Sequence, residues 1–335
     1  MMLEFPLKSL LDQSWQFMRN LFWLGLWLCA WGVLIGYLMR WWPGERVLEV
    51  RLFNYFMPWL LLGLLPALAV AGLGRQPWLV MLLAVPTVFI CATFAPLFLP
   101  RFNTALAANL QLNVMSFNIW ARNQDLDTAA ALIRHEQPDI LLLQEAYQPV
   151  GYQLIYKLND LYPGQEIHVA YEPRIGQAVI SRYPITLLET SAQKGRTLKV
   201  LVETPDGPIA VWNVHIYHPF PWSRQYRQVS VLADDIAREK IPLIVGGDFN
   251  TTDQSETYQI VNQYLSNAHW EAGWGFGFSF PAHRPQLEGI PIVTPMLRID
   301  HIFHSEHFYT LNARTLPLSG GSDHLPVVAK FSLVK

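Results

Sequence analysis

Apolar residues fall along this chain in two textures. Up to about residue 100 they come in long runs: Leu21 to Trp42, apolar apart from Arg40; Leu52 to Leu73, interrupted by Asn54; and Pro77 to Leu99. At helical rise a run of 22 residues covers roughly 33 Å, about the thickness of a bilayer core. The pattern therefore predicts three transmembrane helices, at about 21–42, 52–73 and 77–99. Glu45, Arg46, Glu49, Arg51 and Arg75 lie between the runs, and Trp41, Trp42, Trp59 and Trp78 lie at or near their ends, where an interfacial aromatic belt belongs. Pro58, Pro66, Pro86 and Pro96 are better tolerated in membrane helices than in soluble ones. A cleaved signal peptide does not account for the pattern, because the first run is too long and two more follow. Residues 1–20, with Phe5, Leu7, Leu10, Leu11, Trp15 and Phe17 among polar neighbours, read either as an interfacial amphipathic helix or as the start of the first span.

From Leu112 the pattern changes to short alternating segments. Leu112 to Asn118 alternates like a half-buried strand. Asp125 to Gln137 has cap candidates and helical apolar spacing at Leu126, Ala129, Ala130 and Ile133. Asp139 to Gln144 is an apolar strand ending at Glu145. Strands are predicted at Gln177 to Ser181, Leu198 to Glu203 and Pro208 to His215, then a helix over Ser223 to Glu239 and a strand into Asp248. A short helix over Ser255 to Leu265 precedes closing strands at Arg298 to His304, Tyr309 to Leu316 and His324 to Val334. Strands outnumber helices, and several are joined by hairpin-length loops. That favours a two-sheet sandwich flanked by helices over a doubly wound parallel sheet. The predicted organisation is a membrane anchor over 1–100, a linker over 101–111 and a catalytic domain over 112–335.

Composition sharpens the division. The chain is 51% hydrophobic and 15% charged, low in charge for a soluble protein. Of its 24 Lys/Arg and 26 Asp/Glu, six and four fall within residues 1–100, which leaves 18 basic and 22 acidic residues beyond. All ten His lie beyond residue 100 as well. Cys29 and Cys91 both fall within the apolar runs, so the second domain has no disulfide and cysteine usage says nothing of its compartment. Three spans place the N-terminus and the second domain on opposite sides, but the positive-inside count is close to balanced.

Polar residues recur at the predicted strand ends. Asn118 ends the first strand and Glu145 the second. Asn213 and His215 end another, Asp248 and Asn250 end the next in Gly-Gly-Asp-Phe-Asn, Asp300 and His301 sit in Arg-Ile-Asp-His-Ile-Phe, and Asp323 and His324 open the last. A single Asn or Asp at a strand end is usually a turn residue; six such ends in one domain point to a site. Asp248 and Asn250, two apart, face the same way in extended backbone, whereas His301, next to Asp300, faces the other way and reads as structural.

Phe-Asn-Ile, Gln-Glu, Gly-Asp-Phe-Asn, Asp-His and Ser-Asp-His-Leu-Pro, in that order over residues 110–335, resemble the motifs of the endonuclease/exonuclease/phosphatase superfamily. The resemblance implies an α/β fold, a four-layer sandwich, and a divalent-metal phosphoesterase using Mg²⁺, with Mn²⁺ as the alternative. His215 stands where abasic-site endonucleases carry Tyr and where DNases, sphingomyelinases and inositol phosphatases carry His. Phosphoester hydrolysis needs neutralised phosphate oxygens, an activated water and a protonated leaving group. Glu145, with Asn118 and Asp323, is the expected metal site. Asp248 and Asn250 are expected to orient water and phosphate, Asp300 to hold the His324 imidazole, and His215 to stabilise phosphate or protonate the leaving oxygen. Either Asp248 or His324 serves as the base.

Arg182, in Ile-Ser-Arg-Tyr-Pro-Ile, sits at a family-like position and is a candidate for substrate binding; a solvated strand-end arginine accounts for it equally well. The net acidity of the second domain argues against a duplex-DNA enzyme, which needs a basic footprint. An aromatic, glycine-rich loop instead carries Trp270, Trp274, Phe276, Phe278 and Phe280. Rings such as Trp274 and Phe276 suit an apolar tail or a lipid interface, or else they pack beneath the sandwich. With three spans, the favoured substrate is a phospholipid or a lipid-linked phosphate and the expected partner is the bilayer itself. The expected location is a bacterial cytoplasmic membrane, with the catalytic domain outside the cytoplasm by analogy with membrane-anchored members of the superfamily. A membrane-tethered nuclease and a catalytically silent binding protein are the alternatives.

Overall fold

The computed structural model describes residues 4–99, 110–191, 196–282 and 295–334. The chain divides into two compact units, Met1–Ala95 and Pro96–Lys335. Most of the expected linker, 101–111, lies outside the described residues; Gln111 already belongs to the first strand.

The first unit is helical throughout. α1 (Glu4–Met39), α2 (Leu48–Phe56), α3 (Leu61–Leu73) and α4 (Pro77–Phe94) are its helices. Three segments, Leu10–Met39, Leu48–Leu73 and Pro77–Phe98, are long and apolar enough to cross a membrane. The first helix is continuous from Glu4 to Met39, so no break separates the segment before Leu21 from the first apolar run. The second segment is two helices, because Pro58 has no N–H to continue the ladder and a 3₁₀ turn at Met57–Leu60 intervenes. The outward faces carry Trp15, Leu28, Leu62, Leu65 and Val88, all exposed. Such a surface suits lipid and not water. Asn54, the polar break in the second run, is buried and donates from Nδ2 to Glu45 Oε1 at 2.7 Å.

The second unit is two six-stranded mixed sheets. One takes β1 (Gln111–Asn118), β2 (Ile140–Gln144), β3 (His168–Glu172), β4 (Gln177–Ser181), β11 (Phe308–Thr315) and β12 (Val327–Leu333). Its order is β11-β12-β1-β2-β4-β3. The other takes β5 (Ile185–Ser191), β6 (Thr197–Thr204), β7 (Gly207–His215), β8 (Leu243–Asp248), β9 (Ser266–Asn267) and β10 (Asp300–His304). Its order is β5-β6-β7-β8-β10-β9. Inner faces meet through Val114, Leu142, Val179, Val200, Val211, Ile244 and Ile302. Helices α5 (Leu126–Glu136) and α6 (Val150–Lys157) cover the first sheet through Leu126, Ile133, Leu154 and Leu158 on Met115, Phe117, Leu141 and Leu143. Helices α7 (Trp222–Arg238) and α8 (Glu256–Asn262) cover the second through Val229, Leu232, Tyr258 and Val261 on Trp212, Val214 and Val245. The result is the four-layer α/β sandwich. Because both faces of β2 and β8 are buried, their sequences run apolar without alternation.

Each sheet holds one parallel pair joined by a helix: β1–α5–β2 and β7–α7–β8. Asp125 caps α5 by accepting from the Thr128 N–H at 3.1 Å, and Gln137 ends it in left-handed backbone at φ 46°. A short α9 (Ala268–Ala272) completes the elements. The closing strand starts at Val327 and not at His324, since 322–326 turn around the site described next.

Candidate active site

The carboxyl ends of the two parallel pairs meet at one end of the sandwich. The register sets Asn118 beside Gln144 on β1 and β2, and His215 beside Asp248 on β7 and β8. Asp300 opens β10 directly opposite Asp248. Ser322 Oγ donates to the Asn118 carbonyl at 2.7 Å and accepts from the His324 N–H at 3.0 Å, which brings the Asp323-His324 loop to the same place. Gly247 allows the arrangement: a Cβ there would lie 1.9 Å from the Val214 carbonyl oxygen on β7. Strand ends at such a crevice are where open α/β sheets present their chemistry.

Asp248 lies at the centre of these contacts. Its Oδ2 accepts from Asn118 Nδ2 at 3.0 Å and Asn250 Nδ2 at 3.2 Å. His215 Nε2 lies 3.6 Å and His324 Nε2 3.9 Å from the same oxygen. Its Oδ1 accepts from the Asn250 N–H at 2.8 Å. Asn250 is left-handed, at φ 48°, so it reaches Asp248 through an Asx-type turn, which corrects the expectation of extended backbone. His324 Nδ1 pairs with Asp300 Oδ2 at 2.9 Å. Ser279 Oγ donates to that same Asp300 oxygen at 2.6 Å, and the Phe280 ring lies 4.7 Å from the imidazole. Ser279 and Phe280 come from the aromatic loop, and nothing in a Gly-Phe-Gly-Phe-Ser-Phe string marks its serine as a partner of Asp300.

Electrostatics separate these groups. Burial pushes the Asp248 carboxyl up to about 7, with Asp300 adding to it and His324 opposing. Burial alone would lower His324, but Asp300 and Asp248 outweigh it and raise the imidazole to about 10. At neutral pH His324 thus keeps its proton between Asp300 and Asp248. His215 is pushed the other way, to about 3, by burial, then by Arg196, His324 and His218. It is a neutral imidazole whose Nδ1 is buried without a hydrogen-bond partner. His301 is buried, held well below the usual imidazole range by burial, and engaged through Nε2 with the Thr251 carbonyl at 2.8 Å. Asn213 does not point into the site: it ties the sheets together, accepting from Gln144 Nε2 at 2.7 Å and donating to the Leu143 and Ala178 carbonyls.

The donor set fits a hard divalent cation. Glu145, in left-handed backbone at φ 54°, accepts from the Ala121 N–H through Oε2 at 2.9 Å, leaving Oε1 with a 3.4 Å contact to Asn118 Nδ2. Asp323 is close enough for Glu145 to raise it, after burial as the larger cause. Its Oδ1 is buried with no hydrogen-bond partner. Two carboxylates that repel each other, one with an orphaned oxygen, suit a cation between them. The Asn118 oxygen accepts from the Trp120 N–H at 3.0 Å and its NH₂ faces Glu145 and Asp248. Asp248, Asp300 and His324 also bring one ligand atom each within 4.8 Å of one another.

Three substrate-binding candidates lie apart from these contacts. Arg182 pairs with Asp139 at 3.3 Å and stacks on Tyr162. Asp139 precedes β2, six residues before Glu145, or about 20 Å at strand rise. Arg182 thus sits at the far end of the sheet, and its expected place in substrate binding is corrected. Trp274 is 66% exposed, and it and Phe276 pack edge-on against Phe98. They touch Phe98 and lie on the loop that continues to Ser279.

A family model, Endonuclease/Exonuclease/phosphatase family, matches residues 115–324. Among solved structures, a family protein from Leptotrichia buccalis is similar at 16% identity, with 66% of this chain and 100% of that one covered and a TM-score of 0.54. A Bacteroides thetaiotaomicron mannosyl-6-phosphatase is similar at 18% identity over 66% and 100% of the two chains, TM-score 0.52. A truncated Caenorhabditis elegans TDP2 is similar at 20% identity over 67% and 99%, TM-score 0.52. At these identities the likeness is one of fold. No curated protein sequence matches the chain. The match over 115–324 and the shared fold show that this chain belongs to the endonuclease/exonuclease/phosphatase family, whose members are divalent-metal hydrolases of phosphoester bonds.

Proposed function

We propose that the protein is a membrane-anchored, metal-dependent phosphoesterase acting on a phospholipid or a lipid-linked phosphate. The observation that carries the activity is the buried Asp248 carboxylate, met by Asn118, Asn250, His215 and His324, with Asp300 behind His324. Glu145 and Asp323 would hold Mg²⁺ or Mn²⁺, which supplies Lewis-acid neutralisation of the phosphate oxygens. Asp248 is the better proton acceptor for the attacking water, because His324 already holds its proton. Charged His324 and neutral His215 then face the phosphate as donors, while Asn250, donating from Nδ2 to the Ile216 carbonyl and to Asp248, holds that carboxylate in place. His324, the charged member, is the natural proton source for the leaving oxygen.

The lipid part of the reading rests on other observations. Three apolar segments are each long enough to span a bilayer. In the catalytic unit, exposed Trp274 and half-buried Phe276 pack on Phe98 and belong to the loop that also supplies Ser279 and Phe280, an apolar surface suited to a lipid substrate. We further propose that the catalytic unit faces away from the cytoplasm.

Hydrolysis by the full-length protein in detergent tests the reading. Phospholipids, undecaprenyl diphosphate, sphingomyelin, phosphoinositides and plasmid DNA are offered with Mg²⁺, with Mn²⁺ and with EDTA. Cleavage of a lipid phosphate, abolished by EDTA, is the expected result. Cleaved plasmid with every lipid intact would make the protein a tethered nuclease instead.

A further inference from the structure

One corner of the catalytic end is cationic in a unit whose formal charge is negative. Arg196 immediately precedes β6, and its carbonyl accepts from the His215 N–H at 3.2 Å and from Gln177 Nε2. The β6–β7 register, Thr197 opposite Val214, fixes Arg196 opposite His215. Two residues beyond His215, the Tyr217 ring carries the Arg224 guanidinium 3.6 Å from its centroid and the Arg196 guanidinium 5.4 Å away. The Tyr217 N–H is anchored on Gln228 Oε1 at 2.8 Å.

Three features separate this corner from ordinary solvated arginines. Neither guanidinium forms an ion pair with a described residue, although Arg134, Arg174, Arg298 and Arg314 all do. Arg196 is held in left-handed backbone at φ 50°, a conformation that disfavours a side chain and that surroundings must hold in place. Burial first, then the Arg196 charge and, less, His218, hold His215 uncharged. A ring that stacks two guanidinium faces leaves their N–H edges free, and those edges match the paired oxygens of a phosphate.

We propose that Arg196, Arg224 and Tyr217 form a second anion subsite, beside His215, that binds a further phosphate group of the substrate. The substrate is then a polyanion: a diphosphate, or a headgroup bearing two phosphates. This rests on the phosphoesterase reading for the identity of the first site, but the second site stands on its own geometry. The scissile phosphate sits against Asp248 and His324, and the additional phosphate occupies the arginine corner. The subsite selects among phosphoesters without taking part in bond cleavage.

Calorimetric titration of the full-length protein in nanodiscs, at fixed free Mg²⁺, tests this with methylphosphonate and methylenediphosphonate as non-hydrolysable probes. The wild type should prefer the diphosphonate by about tenfold or more, as expected for an added charge-assisted contact. Arg224→Gln and Arg196→Gln should each bring that preference close to unity, and Arg224→Lys should restore only part of it, since Lys lacks the fork. Thermal transitions unchanged from wild type show that the variants are folded. A wild type with no preference, or a preference that survives both Gln variants, overturns the subsite. Nanodiscs doped with undecaprenyl diphosphate separate the two sources of such a ligand. Displacement of the diphosphonate by the doped lipid identifies a lipid headgroup, and undiminished binding identifies a soluble polyanion. Hydrolysis of p-nitrophenyl phosphate by wild type and Asp248→Asn is followed in parallel. If neither differs from buffer while the diphosphonate preference persists, the phosphoesterase reading fails and the anion subsite stands.

Discussion

Asp248 and His324 are unequal partners, and the inequality is set by what surrounds each. Asp248 loses water on every side, so its carboxyl binds a proton more readily than an ordinary aspartate. His324 is just as buried but faces two carboxylates, so it keeps its proton. Asp248→Asn and His324→Ala should each lower turnover by about 10²–10⁴, and the double variant should be little worse than either alone, because the groups act as a unit. Unaltered thermal transitions would show that chemistry and not folding was lost. The sign of the pH dependence follows. Activity needs Asp248 ionised and His324 charged, so kcat/KM should rise through about pH 7 and fall towards about pH 10. Asp300→Asn removes the largest favourable partner of His324, so the alkaline limb should move to lower pH; an unmoved limb would mean that Asp300 does not hold the charge. Glu145→Ala should raise the Mg²⁺ concentration needed for half-maximal activity, with partial rescue by excess metal. The residues of this cluster were legible in the sequence because each lies at or just beyond a strand end inside a recognisable motif. Ser279 and Arg196 were not. Their partners, Asp300 and His215, are reached only through tertiary packing, 21 and 19 residues away along the chain.

At the scale of elements, the site depends on how closely β7 and β8 approach. Gly247→Ala would put a methyl group into the Val214 carbonyl. Forcing an atom into so tight a place costs about 1–3 kcal/mol or more, so thermal denaturation should show a clear loss of stability along with activity. Gly246→Ala meets only the end of the Leu142 side chain at 2.5 Å and should be milder; equal losses would mean that the strand spacing is not set there. Buried strands such as β2 and β8 announced themselves as apolar runs. The edge strands β3 and β5 did not, and neither did α6, because partly exposed elements carry no strong period. The strand ends also moved inward, from Arg298, which pairs with Asp253, to Asp300, and from His324, which turns into the site, to Val327. Arg182 shows the opposite failure: a family-like position in the string, but at the wrong end of the sheet.

For the whole molecule, the division into an apolar helical unit and an α/β unit follows from composition alone, and the sandwich follows from the mix of strand lengths and loops. The orientation in the membrane does not, because the charges flanking the spans nearly balance. Full-length protein should sediment with membranes and require detergent for release, and a C-terminal alkaline phosphatase reporter should be active in the periplasm. Protein left in the supernatant would refute the anchor, and a reporter active only as a cytoplasmic fluorescent fusion would reverse the orientation. The central claim, that this fold, so anchored, cleaves lipid-borne phosphoesters at Asp248, meets its most direct test in one measurement. Phosphate release is followed from nanodiscs carrying the lipid phosphate, using the full-length wild type and Asp248→Asn at equal Mg²⁺. The account predicts steady release by the wild type, abolished by EDTA, and a loss of at least about 10²-fold in Asp248→Asn with its thermal transition intact. Equal release by the two proteins, or none by the wild type from any lipid phosphate in the panel, would contradict it.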